Sequence, residues 1–231
     1  MQIFYCENIT SNNAILSEIE SEHCIKVLRH QIGDELNLMY GKGSFYKGHL
    51  TKADKKECII EITETNTIKD NNPHIHIAIA PTKNISRLEW FLEKATEIGV
   101  REITPIICQR SERDKLKTER SEKIIISALK QSKNPFKPIL NELIKFKDFI
   151  NIENNNSKFI AYCDDENQHL VNQYKKGTGI TVLIGPEGDF TVDEVQIAKQ
   201  NGFSSISLGE NRLRTETAGL IAIQTIKTLN E

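Results

Sequence analysis

Residues 183–190 read Leu183-Ile184-Gly185-Pro186-Glu187-Gly188-Asp189-Phe190, an apolar pair running straight into two glycines around a proline. The residues before them, Ile180-Thr181-Val182, are β-branched, so the chain leaves a strand and turns at once. An ordinary turn needs one such residue. Glycines bracketing a ring of fixed φ let the main chain come close to something else.

Working outward, short apolar runs alternate with helical periodicity from residue 74 onward. Strands are expected at 74–80, 103–107, 159–163, 180–184 and 205–208. Between them, Leu88, Phe91, Leu92, Ala95 and Ile98 recur at helical spacing, and Gly99 is placed to stop that helix. A second helix is expected at 121–131, and a last, broadly apolar one at 217–229. Thr191 with Glu194 forms a capping box opening a helix that Gly202 ends. Strands alternating with helices imply a parallel sheet covered by helices.

Residues 1–70 read differently. Short, partly alternating runs at 2–6, 35–40, 44–50 and 57–64 are punctuated by Gly33-Asp34 and Gly41-Lys42-Gly43. This spacing suggests a small β-barrel, with a helical turn at 22–29. The polar stretch Lys69-Asp70-Asn71-Asn72-Pro73 reads as a linker, which gives domains at 1–70 and 71–231.

With 231 residues, 38% of them hydrophobic and 27% charged, the chain can bury a sizeable core and is not disordered. No apolar run reaches the roughly 20 residues of a membrane span. The opening MQIFYCENIT has neither a basic n-region nor an apolar h-region, so no secretory signal is expected. Five dispersed cysteines (Cys6, Cys24, Cys58, Cys108, Cys163) without a CxxC pair point to reduced, buried thiols in a cytoplasmic protein and away from structural zinc. The scattered histidines suggest no metal site, and His74 and His76 read as surface residues.

The net charge of −2 is unevenly divided. Residues 71–150 hold 15 Lys+Arg against 10 Asp+Glu, while both flanking segments are acidic. The basic run includes Arg110, Arg113, Lys115, Lys117, Lys123 and Lys133. On charge alone it is either a solvated helical face or an electrostatic footprint for nucleic acid.

Ligands bind open parallel sheets beyond the carboxyl ends of the strands. Three polar or Gly-bearing segments fall there: 183–188, 208–211 and 213–218. GxxxxGK[ST], GxGxxG and GxSxG are all absent, which removes the common nucleotide cradles and the serine-hydrolase elbow.

The pair LIGPEGDFTVDEV and LGENRLRTETAGLIAI resembles the C-terminal signature of the SPOUT-class methyltransferases that methylate N3 of a uridine in 16S ribosomal RNA. HCIKVLRHQIGDEL, RLEWFLEKATEIGV and RSER also resemble that family, so the similarity spans nearly the whole chain. Members usually carry Gly in place of Asp189 and a basic or apolar pair in place of Asn211-Arg212. The resemblance implies a PUA-like N-terminal barrel that binds RNA and an α/β domain tied in a deep trefoil knot. It also implies a homodimer, S-adenosylmethionine (SAM) as cofactor, no metal, and 16S rRNA in a small-subunit particle as partner. The same class acting on another RNA such as tRNA, or a non-catalytic RNA-binding protein, are the alternatives.

Under that resemblance the cofactor would be held by Leu183, Gly185, Pro186, Glu187 and Gly188, by Leu208, Gly209 and Asn211, and by Leu213, Thr215, Thr217 and Ala218. The glycines would let main chain wrap the cofactor, and the leucines would wall a slot for its base. Arg214 would stabilise the uracil anion formed when the N3 proton leaves. Glu216 would orient Arg214 or accept that proton, or simply favour the start of the last helix. Arg29 joins Arg110, Arg113, Lys115, Lys117, Lys123 and Lys133 as expected RNA contacts.

Overall fold

The computed structural model describes residues 2–162 and 167–231, so Cys163 lies outside the described residues. The chain divides into two compact units: the part up to Asp70 together with Ile126–Lys137, and Asn71–Ile125 together with Pro138–Glu231.

In the first unit, strands β1 (Phe4–Tyr5), β2 (Asn8–Ile9), β3 (Asn13–Ile15), β4 (Glu35–Met39), β5 (Ser44–Lys52) and β6 (Ile59–Thr67) form a small curled sheet in the order β1-β4-β5-β6-β3-β2. β1 runs parallel to β4 and the other pairs are antiparallel. Register shifts at Lys47/Gly48 and Leu50/Lys52 bend the two longest strands. Gly48 allows the first bend, because a Cβ there would strike the Glu61 carbonyl oxygen. Phe4, Leu36, Leu38, Leu50 and Ile60 fill the core with Cys6, Cys24 and Cys58. Burial pushes the Cys6 thiol up to about 11 and the Cys24 thiol up to about 12, so both stay protonated. All four described cysteines are buried, as expected.

The helical turn expected at 22–29 is a helix, α1 (Glu18–Glu22), running into a π-helical turn at His23–Val27. The Ser17 hydroxyl caps it by accepting from the Glu20 amide. Ile126–Lys137 lies beyond the expected linker yet belongs to this unit. Leu129 packs with Tyr5 and Met39, and Lys130 Nζ pairs with the nearly buried Glu20 at 2.5 Å.

The second unit reads, in chain order, β7 (Ile75–Ile79), α2 (Ile85–Ile98), β8 (Glu102–Ile107), α3 (Thr118–Ser132, whose second half belongs to the first unit), β9 (Ile139–Leu140), β10 (Ile144–Lys145), α4 (Phe146–Phe149), β11 (Ser157–Ala161), α5 (Leu170–Gln173), β12 (Ile180–Ile184), α6 (Val192–Gln200), β13 (Ser204–Ile206) and α7 (Thr215–Asn230). Its strands form a parallel sheet in the order β10-β8-β7-β12-β11-β13, with β9 also against β8. The period of two along each strand sorts side chains to opposite faces. Ile75, Ile77, Ile79, Ile180, Val182 and Ile184 share one core with α2 and α7. Ala78, Ala80 and Leu183 share the other with α4, α6 and Phe190. Each fully buried Ile or Leu contributes about 2 kcal/mol, so sheet and covering helices are mutually dependent.

Local chemistry sets the helix limits. The Asn84 side chain accepts from the Ser86 amide at the start of α2, and Gly99 ends it at φ 102°. Thr191 and Glu194 make the expected capping box of α6. Helices α2 and α7 cross at Gly219, where a Cβ would lie 2.6 Å from the Phe91 ring.

The surface reading of the two histidines holds only for His74. His76 is 6% exposed, because Phe149 of α4 covers it edge-on at 5.6 Å. Its Nε2 lies 2.7 Å from Thr104 Oγ1, and Asn141 Nδ2 donates both to that hydroxyl and to Glu102. Burial lowers the His76 pKa to about 4, while bonding to His74 lowers Glu102 to about 2. No helix among the described residues is long and apolar enough to cross a membrane.

Candidate active site

Strands β12, β11 and β13 are neighbours in the sheet, and the segments leaving their carboxyl ends converge. They enclose a cleft of about 850 Å³, lined by Gly185–Glu187 and Asp189 after β12, Tyr162, Asn167 and His169 after β11, and residues 207–215 after β13. Ile184, Ile206, Leu208, Leu213 and Ala218 supply apolar wall, and Arg212 and Arg214 supply cations.

The turn after β12 is held on three sides. Thr215 Oγ1 donates to the Gly185 carbonyl at 3.0 Å, and the Lys83 amide donates to Glu187 Oε1 at 2.9 Å. Arg110 Nη1 donates to the Gly188 carbonyl at 2.7 Å. Arg113 in turn grips the β7–α2 loop through the Thr82 and Lys83 carbonyls, at 3.1 and 2.8 Å. Main chain fixed in this way is preorganised for a ligand, because little freedom remains to be lost on binding.

Each glycine has its own cause. A Cβ on Gly185 would lie 3.1 Å from the buried Phe190 ring, and one on Gly188 would lie 3.3 Å from the Arg110 side chain. Packing therefore explains both. Gly209 differs: its φ is 137° and a Cβ there would meet no atom within 4 Å. It is the glycine of this cleft with open space in front of it. Asp189, where the resembling family has Gly, sits at φ 64°. Its Oδ1 accepts from the Phe190 amide at 2.8 Å, the local bond that lets an Asp occupy left-handed backbone.

Most of the residues expected to hold a cofactor come together: Gly185, Pro186, Glu187, Leu208, Gly209, Asn211, Leu213, Thr215 and Ala218 all line the cleft. Leu183, Gly188 and Thr217 do not. Leu183 faces the opposite core, because strand alternation turns it away and turns Ile184 toward the cleft. Tyr162, Asn167 and His169 were missed, although the end of the expected strand at 159–163 was a usable signal.

Arg214 caps α7, is exposed, lines the cleft and makes no side-chain bond to a described residue. Glu216 is only 6% exposed and is not bonded to Arg214. Its Oε1 lies 3.8 Å from Arg87 Nε, and its Oε2 is buried without a hydrogen-bond partner among the described residues. Arg214 has extended backbone as the cap of α7 while Glu216 lies inside its first turn, so the two side chains leave the chain in different directions.

Of the expected RNA contacts, Arg110 and Arg113 are engaged by main-chain carbonyls. Lys115, Lys117 and Lys123 are exposed and carry no ion pair to a described residue. Arg29 and Lys133 are exposed at left-handed φ of 58° and 53°.

The profile of an RNA methyltransferase domain matches residues 69–227, and that of an RNA methyltransferase PUA domain matches residues 16–63. The chain is 32% identical over 222 residues to the ribosomal RNA small subunit methyltransferase E of Aquifex aeolicus, covering 94% of this chain and 95% of that one. A crystal structure titled "probable rRNA-methyltransferase" from Porphyromonas gingivalis superposes with a TM-score of 0.91 at 41% identity, over 100% of this chain and 98% of that one. The ribosomal RNA small subunit methyltransferase E of Neisseria gonorrhoeae, solved bound to SAM, superposes with a TM-score of 0.88 at 29% identity, again over 100% and 98%. A cleft at the ends of three parallel strands, a curled N-terminal sheet and matches along the whole length agree: the chain belongs to the RNA methyltransferase family that includes the ribosomal RNA small subunit methyltransferases E.

Proposed function

We propose that this protein transfers the methyl group of SAM to N3 of a uridine in 16S ribosomal RNA, acting on a small-subunit particle in the cytoplasm. The observation that carries this reading is the cleft beyond β11, β12 and β13, in a chain whose full length superposes on a relative solved with SAM. The residues fit such a cofactor. The cleft is large enough, its walls alternate apolar side chains with tethered main chain, and the open space at Gly209 would admit a ligand that a Cβ would obstruct.

When bound, SAM supplies an electrophilic methyl group on a sulfonium. The protein's part is positioning and charge. The turn 185–187 and the segment 208–213 hold the cofactor, and their tethers keep the geometry fixed through the transfer. The N3 of uracil becomes a good nucleophile only when its proton is lost. Arg214, at the positive end of α7, stabilises the negative charge that then spreads to the uracil oxygens. Glu216 supports from below. Its buried carboxylate sits beside Arg87 and holds the first turn of α7, which carries Arg214 and Thr215, against α2.

N3 lies on the Watson–Crick edge, so the uridine must be unpaired or flipped out. Lys115, Lys117 and Lys123 of the second unit draw in the RNA backbone, as do Arg29 and Lys133 of the first. The second unit is proposed to carry the deep trefoil knot that the family resemblance implies. A homodimer is supported by Trp90 of α2 and Ile221 of α7, apolar side chains 45% and 38% exposed.

The test is direct. Purified protein is incubated with SAM and either free 16S rRNA or small-subunit particles from a strain lacking the gene, and nuclease digests are analysed by mass spectrometry. N3-methyluridine at one position supports the reading. No new methyl group on either substrate refutes it.

A further inference from the structure

A second cavity, of about 330 Å³, opens on the first unit and shares no lining residue with the cleft. It lies along one face of β4, β5 and β6. Cross-strand register places Asn37 opposite Lys47, Lys47 opposite Glu64, and Phe45 opposite Asn66, so these side chains share the face. Ile3 adds apolar wall beside Phe45, and Lys133 also lines the cavity.

The composition is selective. Asn37 and Asn66 make no side-chain hydrogen bond to any described residue, so each offers a free donor and a free acceptor. They flank the half-buried Phe45 ring, Asn37 itself half-buried and Asn66 exposed. Lys47 is partly neutralised by Glu64 at 3.4 Å, whereas Lys133, held at φ 53°, has no ion-pair partner among the described residues. Left-handed backbone at a non-Gly residue is strained, and such strain clusters at functional sites. A lone anion has no use for the apolar wall, and the bases of a duplex are stacked and paired, so none is free to enter. A planar, neutral heterocycle on a negatively charged backbone uses every part: the ring stacks, the amides read its edge, and the lysine meets the phosphate.

We infer that this cavity is a second nucleobase site, taking one unpaired base of the substrate RNA other than the uridine that is methylated. The inference rests on the RNA-methylating role proposed above. It makes the curled sheet a reader of one unstacked nucleotide rather than only a charged surface.

The experiment uses the full chain and a fluorescein-labelled single-stranded 12-nucleotide RNA, alongside the same strand annealed to its complement. Asn37→Ala/Asn66→Ala is the main variant, and Phe45→Ala is the second, whose ring also packs against the small core near Met39. Circular dichroism and melting confirm folding. Single-strand affinity is expected to fall about tenfold in either variant, with duplex affinity unchanged, as loss of one base contact requires. Equal losses on both RNAs would show a charge contact and overturn the inference. So would wild-type single-strand affinity in the folded double-amide variant. SAM binding and methyl transfer by the wild-type protein are read separately. Their absence would refute the proposed enzyme while leaving a selective single-strand loss to support the site.

Discussion

Replacing Gly219 by Ala probes the joint on which the cleft depends. Gly219 lies in the second turn of α7, five residues after Arg214, and faces α2. A Cβ there would lie 2.6 Å from Phe91 Cε2, 3.1 Å from Cδ2 and 3.3 Å from Ile79 Cδ1. Phe91 and Ile79 are fully buried, so neither can swing into solvent. Two effects oppose each other. Ala in a helix interior gains about 1 kcal/mol over Gly, while forcing a methyl into a packed core costs about 1–3 kcal/mol. With the nearest approach well below van der Waals contact, overpacking should win by about 1–2 kcal/mol. For a chain of this size that is a fall of roughly 2–8 °C in Tm. The helix can relieve the clash by moving away from α2, which would draw Thr215 from the Gly185 carbonyl and loosen the cleft. SAM affinity, measured by calorimetry, should therefore fall together with Tm. Phe91→Leu removes the clashing ring atoms, so the double variant should lose less than the sum of the single losses. A Gly219→Ala protein that melts at or above wild type with unchanged SAM affinity would show slack at this crossing and refute the reasoning.

Three further outcomes follow from the same structure. Asp189→Gly should change stability by no more than about 0.5 kcal/mol, since relief at φ 64° offsets the lost bond to the Phe190 amide and the added unfolded-state freedom. Asp189→Val, which is β-branched and cannot make that bond, should cost about 2 kcal/mol in denaturant titrations. Stability should fall as pH drops from about 6.5 to 4, because the unfolded state protonates His76 more readily than the folded state, whose His76 pKa is about 4. The difference amounts to roughly 3 kcal/mol. A second loss should follow between about 4.5 and 2 as Glu102 is protonated, and His76→Gln should flatten the upper window and also shrink the lower one in pH-dependent melts, because charged His76 helps hold Glu102 down. Charge reversal at Lys115, Lys117 and Lys123 should lower the slope of log affinity for RNA against log salt by up to about 3, and an unchanged slope would return these lysines to an ordinary solvated face.

Much of the second unit was legible because its signals are local. Strand composition at Ile180–Ile184, the Thr191/Glu194 capping box and Gly99 at a helix end each depend on residues a few positions apart. Short elements escaped: β9, β10, α4 and α5 are two to four residues long and have no periodicity to read. The region of the cleft was likewise visible as polar segments after strands. Local patterning therefore specifies the alternation of elements and the segment carrying the chemistry. Which neighbour each residue meets was decided only by the tertiary structure. Strand pleating turned Leu183 away and Ile184 inward, the fold set Arg110 and Arg113 on main-chain carbonyls, and helix packing gave Glu216 to Arg87 rather than to Arg214. Gly185 and Phe190 are five positions apart and Gly188 and Arg110 are 78 apart, yet both contacts are made at the turn after β12. Spacing along a chain encodes periodicity, but contact between distant segments depends on the arrangement of the whole sheet.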